Sequence, residues 1–213
     1  MLREESLEEI SDGRRYGIND MVRADAGGCK GCSKCCETMT DTIVLSPIDI
    51  FRIENKTGKD FSELLAENIE LKVHDGLILP NIKANNNGCN FLSDDKRCTI
   101  HESRPDFCRL FPLGRLYEND SFSYILQMGQ CEKNCSKVKV KKWIDIPDLE
   151  LHDKYVLKWH EIIKNAREKV FTSESEQHQK QIVMKILNVF YMKPYNDFYP
   201  EFFDRINIYN ETE

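Results

Sequence analysis

The chain has 213 residues and a formal net charge of −6, and 31% of its residues are charged. This acidic balance argues against general binding to nucleic acid or to anionic membranes. No apolar stretch is long enough for a transmembrane helix and none marks a secretory signal, so a cytoplasmic protein with no membrane partner is expected.

Cysteine is the dominant feature of the first third of the chain, where Cys29, Cys32, Cys35 and Cys36 fall within eight residues. Thiolates are soft ligands, and C-x-x-C spacing lets two of them meet one metal across a tight turn. Neighbouring residues of a loop or strand point apart, so the adjacent pair is expected to serve different sites or different corners of one cluster. Residues 21–36 are predicted to form a loop.

Short helices and a hairpin are predicted between the two groups of cysteines. Ser46 followed by proline is typical of a helix start and predicts a helix over 47–53. A second helix is predicted over 61–69 from its apolar spacing. Asp75 and Gly76 lie between two apolar runs and predict a β-hairpin.

The remaining five cysteines occupy a second, longer segment. Pro105 is predicted to open a short helix that ends at Pro112, and a strand is predicted over 122–128. Two cysteines after that strand are spaced like one helical turn. The five residues are Cys89, Cys98, Cys108, Cys131 and Cys135.

The last third of the chain has no cysteine and shows helical periodicity instead. Apolar residues recur at helical spacing from Tyr155 to Val170. Ser173 and Glu176 predict a capping box for the next helix. Residues 194–213 are predicted to form a short helix and a frayed end.

These patterns predict an α+β fold that metal organises as much as apolar packing does. Hydrophobic residues make up 40% of the chain, below the globular average, and the free energy of metal binding adds to that of folding. We expect a lead-in over 1–20, a small irregular cysteine-cluster metal-binding domain over 21–145 and a C-terminal helical extension over 146–213.

Metal binding explains nine cysteines better than disulfides do. In a reducing compartment clustered cysteines are more often ligands, and an odd number cannot close a disulfide framework. Zinc and iron–sulfur clusters both accept four thiolates. The C-x-x-C-x-x-C run with a remote cysteine is typical of a 4Fe–4S cluster, so the spacing favours iron–sulfur and leaves zinc as the alternative.

Three segments in order resemble the YkgJ-type CxxCxxCC family of zinc- or iron-chelating cysteine-cluster proteins. They are CKGCSKCC, the CNFL segment and the CTIHESRPDFCRLFP segment. Cys135 lies outside the family pattern, and His101 stands where the family has tyrosine as readily, which favours a packing role. The metal ligands that the resemblance implies are Cys29, Cys32, Cys35, Cys36, Cys89, Cys98, Cys108 and Cys131.

Arg104 and Arg109 are the non-cysteine residues predicted to contact the bound group, by donating hydrogen bonds to its sulfur atoms. The alternative for each is a pair with a nearby carboxylate such as Asp106 or Glu102. We expect a metal or iron–sulfur protein that acts in binding or electron transfer, with a redox partner. Flagellin lysine N-methylases have a similar cysteine cluster, which implies methyl transfer from S-adenosylmethionine to a protein substrate as an alternative. A zinc-stabilised interaction module is the third interpretation, and whether the chain is an enzyme stays open.

Overall fold

The structure is a computed structural model, and it confirms the α+β class: 48% of the chain is helical and 22% is strand. Within the described ranges, no helix combines the length and the apolar character needed to cross a bilayer. Cys29 lies outside the described residues. The structure describes residues 7–25, 27, 32–39, 42–86, 88–129, 131 and 135–211.

The helices of the described ranges fall into two groups: shorter helices before residue 145 and longer helices after it. The first group consists of α1 (Leu7–Ile10), α2 (Lys34–Thr38), α3 (Pro47–Thr57), α4 (Phe61–Glu67), α5 (Asp106–Leu110) and α6 (Val140–Ile144). The second group consists of α7 (Leu149–Thr172), α8 (Glu176–Phe190) and α9 (Phe198–Glu211).

The strands pair into small antiparallel ribbons, β1 with β8, β2 with β3, β4 with β5, and β6 with β7. Each ribbon can leave one face to the core and the other to water, which suits an irregular fold. The strands are β1 (Met21–Asp25), β2 (Ile69–His74), β3 (Leu77–Ile82), β4 (Ala84–Asn85), β5 (Gly88–Cys89), β6 (Leu113–Glu118), β7 (Ser121–Leu126) and β8 (Ser136–Lys139).

Local signals located several elements correctly. The Asp49 carboxylate accepts a hydrogen bond from the backbone N–H of Ser46 at 2.8 Å, which fixes the start of α3. The helix runs four residues beyond the predicted end and stops at Gly58, whose φ of 71° is left-handed. The predicted hairpin is β2–β3, with the turn at Asp75 and Gly76.

Three predictions were wrong in detail. The predicted loop over 21–36 contains β1 and the start of α2, and β1 forms because β8, far along the chain, pairs with it. The N-cap of α8 is Ser175, whose side chain accepts from the N–H of His178, and Ser173 instead ends α7. The last helix, α9, has 14 residues rather than a few, because its aromatic side chains pack into the core.

The larger of two hydrophobic cores joins α3, α4 and the β2–β3 hairpin to α7, α8 and α9. The Tyr191 hydroxyl donates to the Leu45 carbonyl at 2.9 Å, and the Tyr155 hydroxyl accepts from the Ile48 N–H at 3.3 Å. Residues on both sides of the predicted boundary at 145 therefore share one core. The smaller core packs β1, β7 and β8 against the end of α5 and against α6.

Candidate metal centre

The helix α2 carries Cys35 and Cys36 side by side. Successive helical residues are about 100° apart around the axis, so neighbouring thiols can approach each other. A hydrogen bond between the two thiols lowers the pKa of Cys35, and the same hydrogen bond, with burial, raises the pKa of Cys36. The adjacent thiols contact each other because this segment is a helix, and whether they serve different sites or different corners of one cluster stays a prediction.

Gly88 brings Cys89 against α2. A Cβ atom at this position would lie 2.5 Å from the Cys36 carbonyl oxygen and 2.7 Å from the Cα of Glu37, and the φ of Gly88 is +110°. Only glycine permits so close a contact between two backbone segments. Cys89 is buried, and burial raises the pKa of its thiol to about 11.

Cys98 and Cys108 come from two further segments. Cys98 lies in an antiparallel bridge with Leu92, and an ion pair at 2.7 Å between Lys96 and Glu37 links this loop to α2. Cys108 lies on α5, and burial together with neighbouring thiolates raises its pKa well above the usual value. Helix α5 follows Pro105 and ends before Pro112, as the sequence predicted.

Five thiols lie close enough that each one shifts the pKa of at least one of the others. Among the described residues, no three or more Cys, His, Asp or Glu side chains meet closely enough to hold a metal ion. The eight described cysteines are all free thiols. The five grouped residues are Cys35, Cys36, Cys89, Cys98 and Cys108.

Cys131 and Cys135 form a second pair, in which the Cys135 thiol donates to the Cys131 sulfur at 3.9 Å. Cys135, which lies outside the family pattern, is therefore next to Cys131, which is one of the predicted ligands. Cys32 is partly buried just before α2. The ligand role of each of these residues stays a prediction, as does that of Cys29.

The two predicted arginines lie near the thiols but contact backbone oxygens. Arg109 is 7% exposed; it donates to the Asp145 carbonyl at 3.0 Å and to the Glu102 carbonyl at 2.5 Å, and its Nε–H has no partner among the described residues. Burial lowers its pKa to about 10. Arg104 donates to the His101 carbonyl at 2.9 Å. Burial raises the pKa of Cys98, while the Ile100 N–H and the Arg104 charge act against that rise.

A buried polar network beside α5 was missed from the sequence. Asp106 is its centre: its carboxylate contacts Arg52 at 2.5 Å and His152 at 2.7 Å. Burial opposes its ionisation, but His152 and Arg52 outweigh burial and lower the pKa of Asp106. Burial, then the Asp106 charge, raises the pKa of the adjacent Asp49. The partners come from α3, α5 and α7, so no local spacing reveals them.

A model of the CxxCxxCC family, described as "Putative zinc- or iron-chelating domain", matches residues 28–136. This match covers 109 of the 213 residues. The chain belongs to the CxxCxxCC family. The matched segment contains every cysteine of the chain, which confirms the resemblance read from the three motifs. Neither the curated proteins nor the solved structures gave a significant match.

The donor set of the CxxCxxCC domain fits zinc or iron. Both metals accept thiolates, and the five grouped side chains supply sulfur from α2, β5, the Cys98 loop and α5. Burial raises the pKa of the Cys89 and Cys108 thiols, whereas a metal binds the thiolate form. Binding must therefore displace their protons, and metal affinity is expected to fall at low pH.

Proposed function

We propose that this protein binds iron or zinc through the thiolates of its CxxCxxCC domain in the cytoplasm. The observation that carries the proposal is that cysteines from four segments of the chain lie in or against the larger core, with Cys89 next to the contact between Gly88 and α2. Soft donors that converge from separate segments are the expected ligands of these metals. The ligands we propose include Cys35, Cys36, Cys89, Cys98 and Cys108.

Iron–sulfur is the favoured form of the bound metal. A zinc ion and a 4Fe–4S cluster each take four thiolates, so the number of cysteines does not separate the two forms, and their spacing carries the preference. The C-x-x-C-x-x-C run with remote cysteines matches the ligand pattern of a 4Fe–4S cluster. Such a cluster supplies one-electron chemistry, so we propose electron transfer as the role. Arg104 and Arg109 are proposed to donate to its sulfur atoms.

The deciding experiment measures iron, zinc and acid-labile sulfide in full-length protein purified without oxygen, together with its visible spectrum. Iron and sulfide in near-equal amounts, with a brown colour, are expected. Zinc alone in a colourless protein would refute the iron–sulfur form and support a zinc-stabilised interaction module. Absence of both metals would refute the whole proposal.

Methyl transfer from S-adenosylmethionine stays a prediction drawn from the resemblance to flagellin lysine N-methylases. Titration calorimetry of the metal-loaded protein with S-adenosylmethionine tests it. Binding would identify the chain as a candidate protein-modifying enzyme. A flat titration would leave electron transfer as the role to test by reduction and reoxidation of the loaded protein.

A further inference from the structure

The short helix that carries Cys108 has little to hold it in place by itself. Helix α5 has five residues, and its N-cap residue, Pro105, supplies no side-chain cap. Isolated helices of this length are unstable in water, so its position depends on tertiary contacts. The first residue of α5 is Asp106, two positions before Cys108, and it contacts residues of α3, β6 and α7.

Asp106 is fixed from both its backbone and its side chain. Its N–H donates to the Asp49 carboxylate at 2.8 Å. Its own carboxylate accepts from Arg52 through one oxygen and lies 2.7 Å from the Nε2 of His152 through the other. Arg115 is 3.8 Å from the second oxygen. A buried carboxylate with several charged partners holds its position firmly, because moving it would leave those partners unpaired.

His152 is the contact that comes from the C-terminal helices. Its side chain is 0% exposed, and its Nδ1 lies 3.2 Å from the Tyr199 hydroxyl of α9. The ring therefore lies between the Asp106 carboxylate, which Nε2 faces, and the Tyr199 hydroxyl, which Nδ1 faces. The line of contacts therefore runs from α9 through α7 to the helix of Cys108.

We propose that His152 is a positioning residue for the metal centre, holding Cys108 in place through Asp106; this inference rests on the proposed function. The helices after residue 145 then contribute to metal affinity without supplying a ligand. Groups that orient a metal ligand typically contribute 10- to 100-fold to affinity, so about a tenfold effect is expected for loss of this contact.

The test is the zinc dissociation constant of the reduced, full-length protein, measured by competition with a chromophoric chelator. His152→Leu removes the donor, whereas His152→Gln keeps an N–H donor near the position of Nε2. The matched control is His160→Leu. His160 is a partly buried histidine of the same helix, but its ring stacks on Tyr117 and does not contact Asp106 in the structure. Thermal unfolding of each metal-free protein reports general destabilisation.

We expect His152→Leu to weaken zinc binding about tenfold or more, His152→Gln to restore most of the affinity, and His160→Leu to leave it unchanged. Wild-type affinity in His152→Leu would overturn the inference, as would equal losses in the two leucine variants. If His152→Leu does not fold, Asp106→Asn carries the same test: weakened zinc binding supports the inference and unchanged binding overturns it. Failure of the wild-type protein to bind zinc or iron would refute the proposed function itself.

Discussion

Replacement of Gly88 by alanine should separate two of the proposed ligands. Gly88 starts β5 and lies directly against the backbone of α2, so Cys89 and Cys36 are held together at this point. An alanine Cβ would lie 2.5 Å from the Cys36 carbonyl oxygen, and ordinary contact begins at 3.4 Å. Both neighbouring atoms belong to the backbone, so no side chain can rotate to make room.

The size of the effect follows from these distances. Moving the Cβ from 2.5 Å to 3.4 Å shifts β5 away from α2 by about 0.9 Å, which exceeds the roughly 0.5 Å tolerance of a metal or catalytic site. The positive φ adds about 1–2 kcal/mol of backbone strain, and the forced contact adds about 1–3 kcal/mol. Metal affinity should fall about tenfold or more.

Gly58→Ala is the matched control, because Gly58 also has a positive φ, of 71°, but a Cβ there would meet nothing within 4 Å. It should cost about 1–2 kcal/mol of unfolding free energy and leave metal binding intact. Chelator competition gives the metal affinity of both variants, and urea unfolding of the metal-free proteins gives their stability. Wild-type affinity in Gly88→Ala, with no greater loss of stability than in the control, would refute the reasoning.

Three further predictions address the ligands, the pH dependence and the C-terminal helices. Cys108→Ser should lose bound metal and Cys135→Ser should keep it, as measured by elemental analysis; metal loss in the latter would add Cys135 to the ligands. Burial, then the Asp60 charge, raises the pKa of Glu54 from its ordinary 4.5 to about 7. The folded state therefore binds more protons than the unfolded state between these values, and stability should fall as pH rises through that window. Glu54→Gln should flatten this slope in urea unfolding at about pH 5 and about pH 7.5, and an unchanged slope would contradict the assignment. Arg205 is 6% exposed and donates to the carbonyls of Val189, Lys193 and Pro194. Arg205→Met should cost about 2–4 kcal/mol in urea unfolding because three carbonyls lose the donor that holds them together. A loss under about 1 kcal/mol would show that these bonds contribute little to stability.

The elements that the sequence predicted well are those whose signals are local. Ser46 with its following proline, the Asp75–Gly76 turn and the Pro105 start each restrict the backbone within a few residues. The corresponding α3 and α5 begin, and the β2–β3 hairpin turns, at the predicted positions. The cysteine motifs likewise identified the family without any structural information.

The elements that were missed depend on partners far along the chain. Strand β1 exists because β8 pairs with it, and the two are separated by more than 100 residues. The contact between Asp106 and His152 joins α5 to α7 in the same way. Gly88 looked like an ordinary turn glycine after three asparagines, and only the position of α2 shows why a side chain is excluded.

The shared core leads to a test of the predicted boundary at residue 145. Cys89 belongs to the larger core, and Cys36, Cys98 and Cys108 pack against it. Trp159 of α7 packs on Phe190 in the same core, with ring centroids 5.4 Å apart. Loss of metal and unfolding of the C-terminal helices should therefore occur together, since one cooperative core unfolds as a unit.

The measurement uses Trp143→Phe, which leaves Trp159 as the one tryptophan of the chain. Urea unfolding is followed by its fluorescence and, in parallel, by transfer of metal to a chromogenic chelator. We expect the two transitions to have the same midpoint, and both midpoints to fall when metal is removed, because metal that binds the folded state stabilises it. Metal release at clearly lower urea, with Trp159 still in its native environment, would contradict a single cooperative core. It would instead support residues 146–213 as a separately stable helical unit.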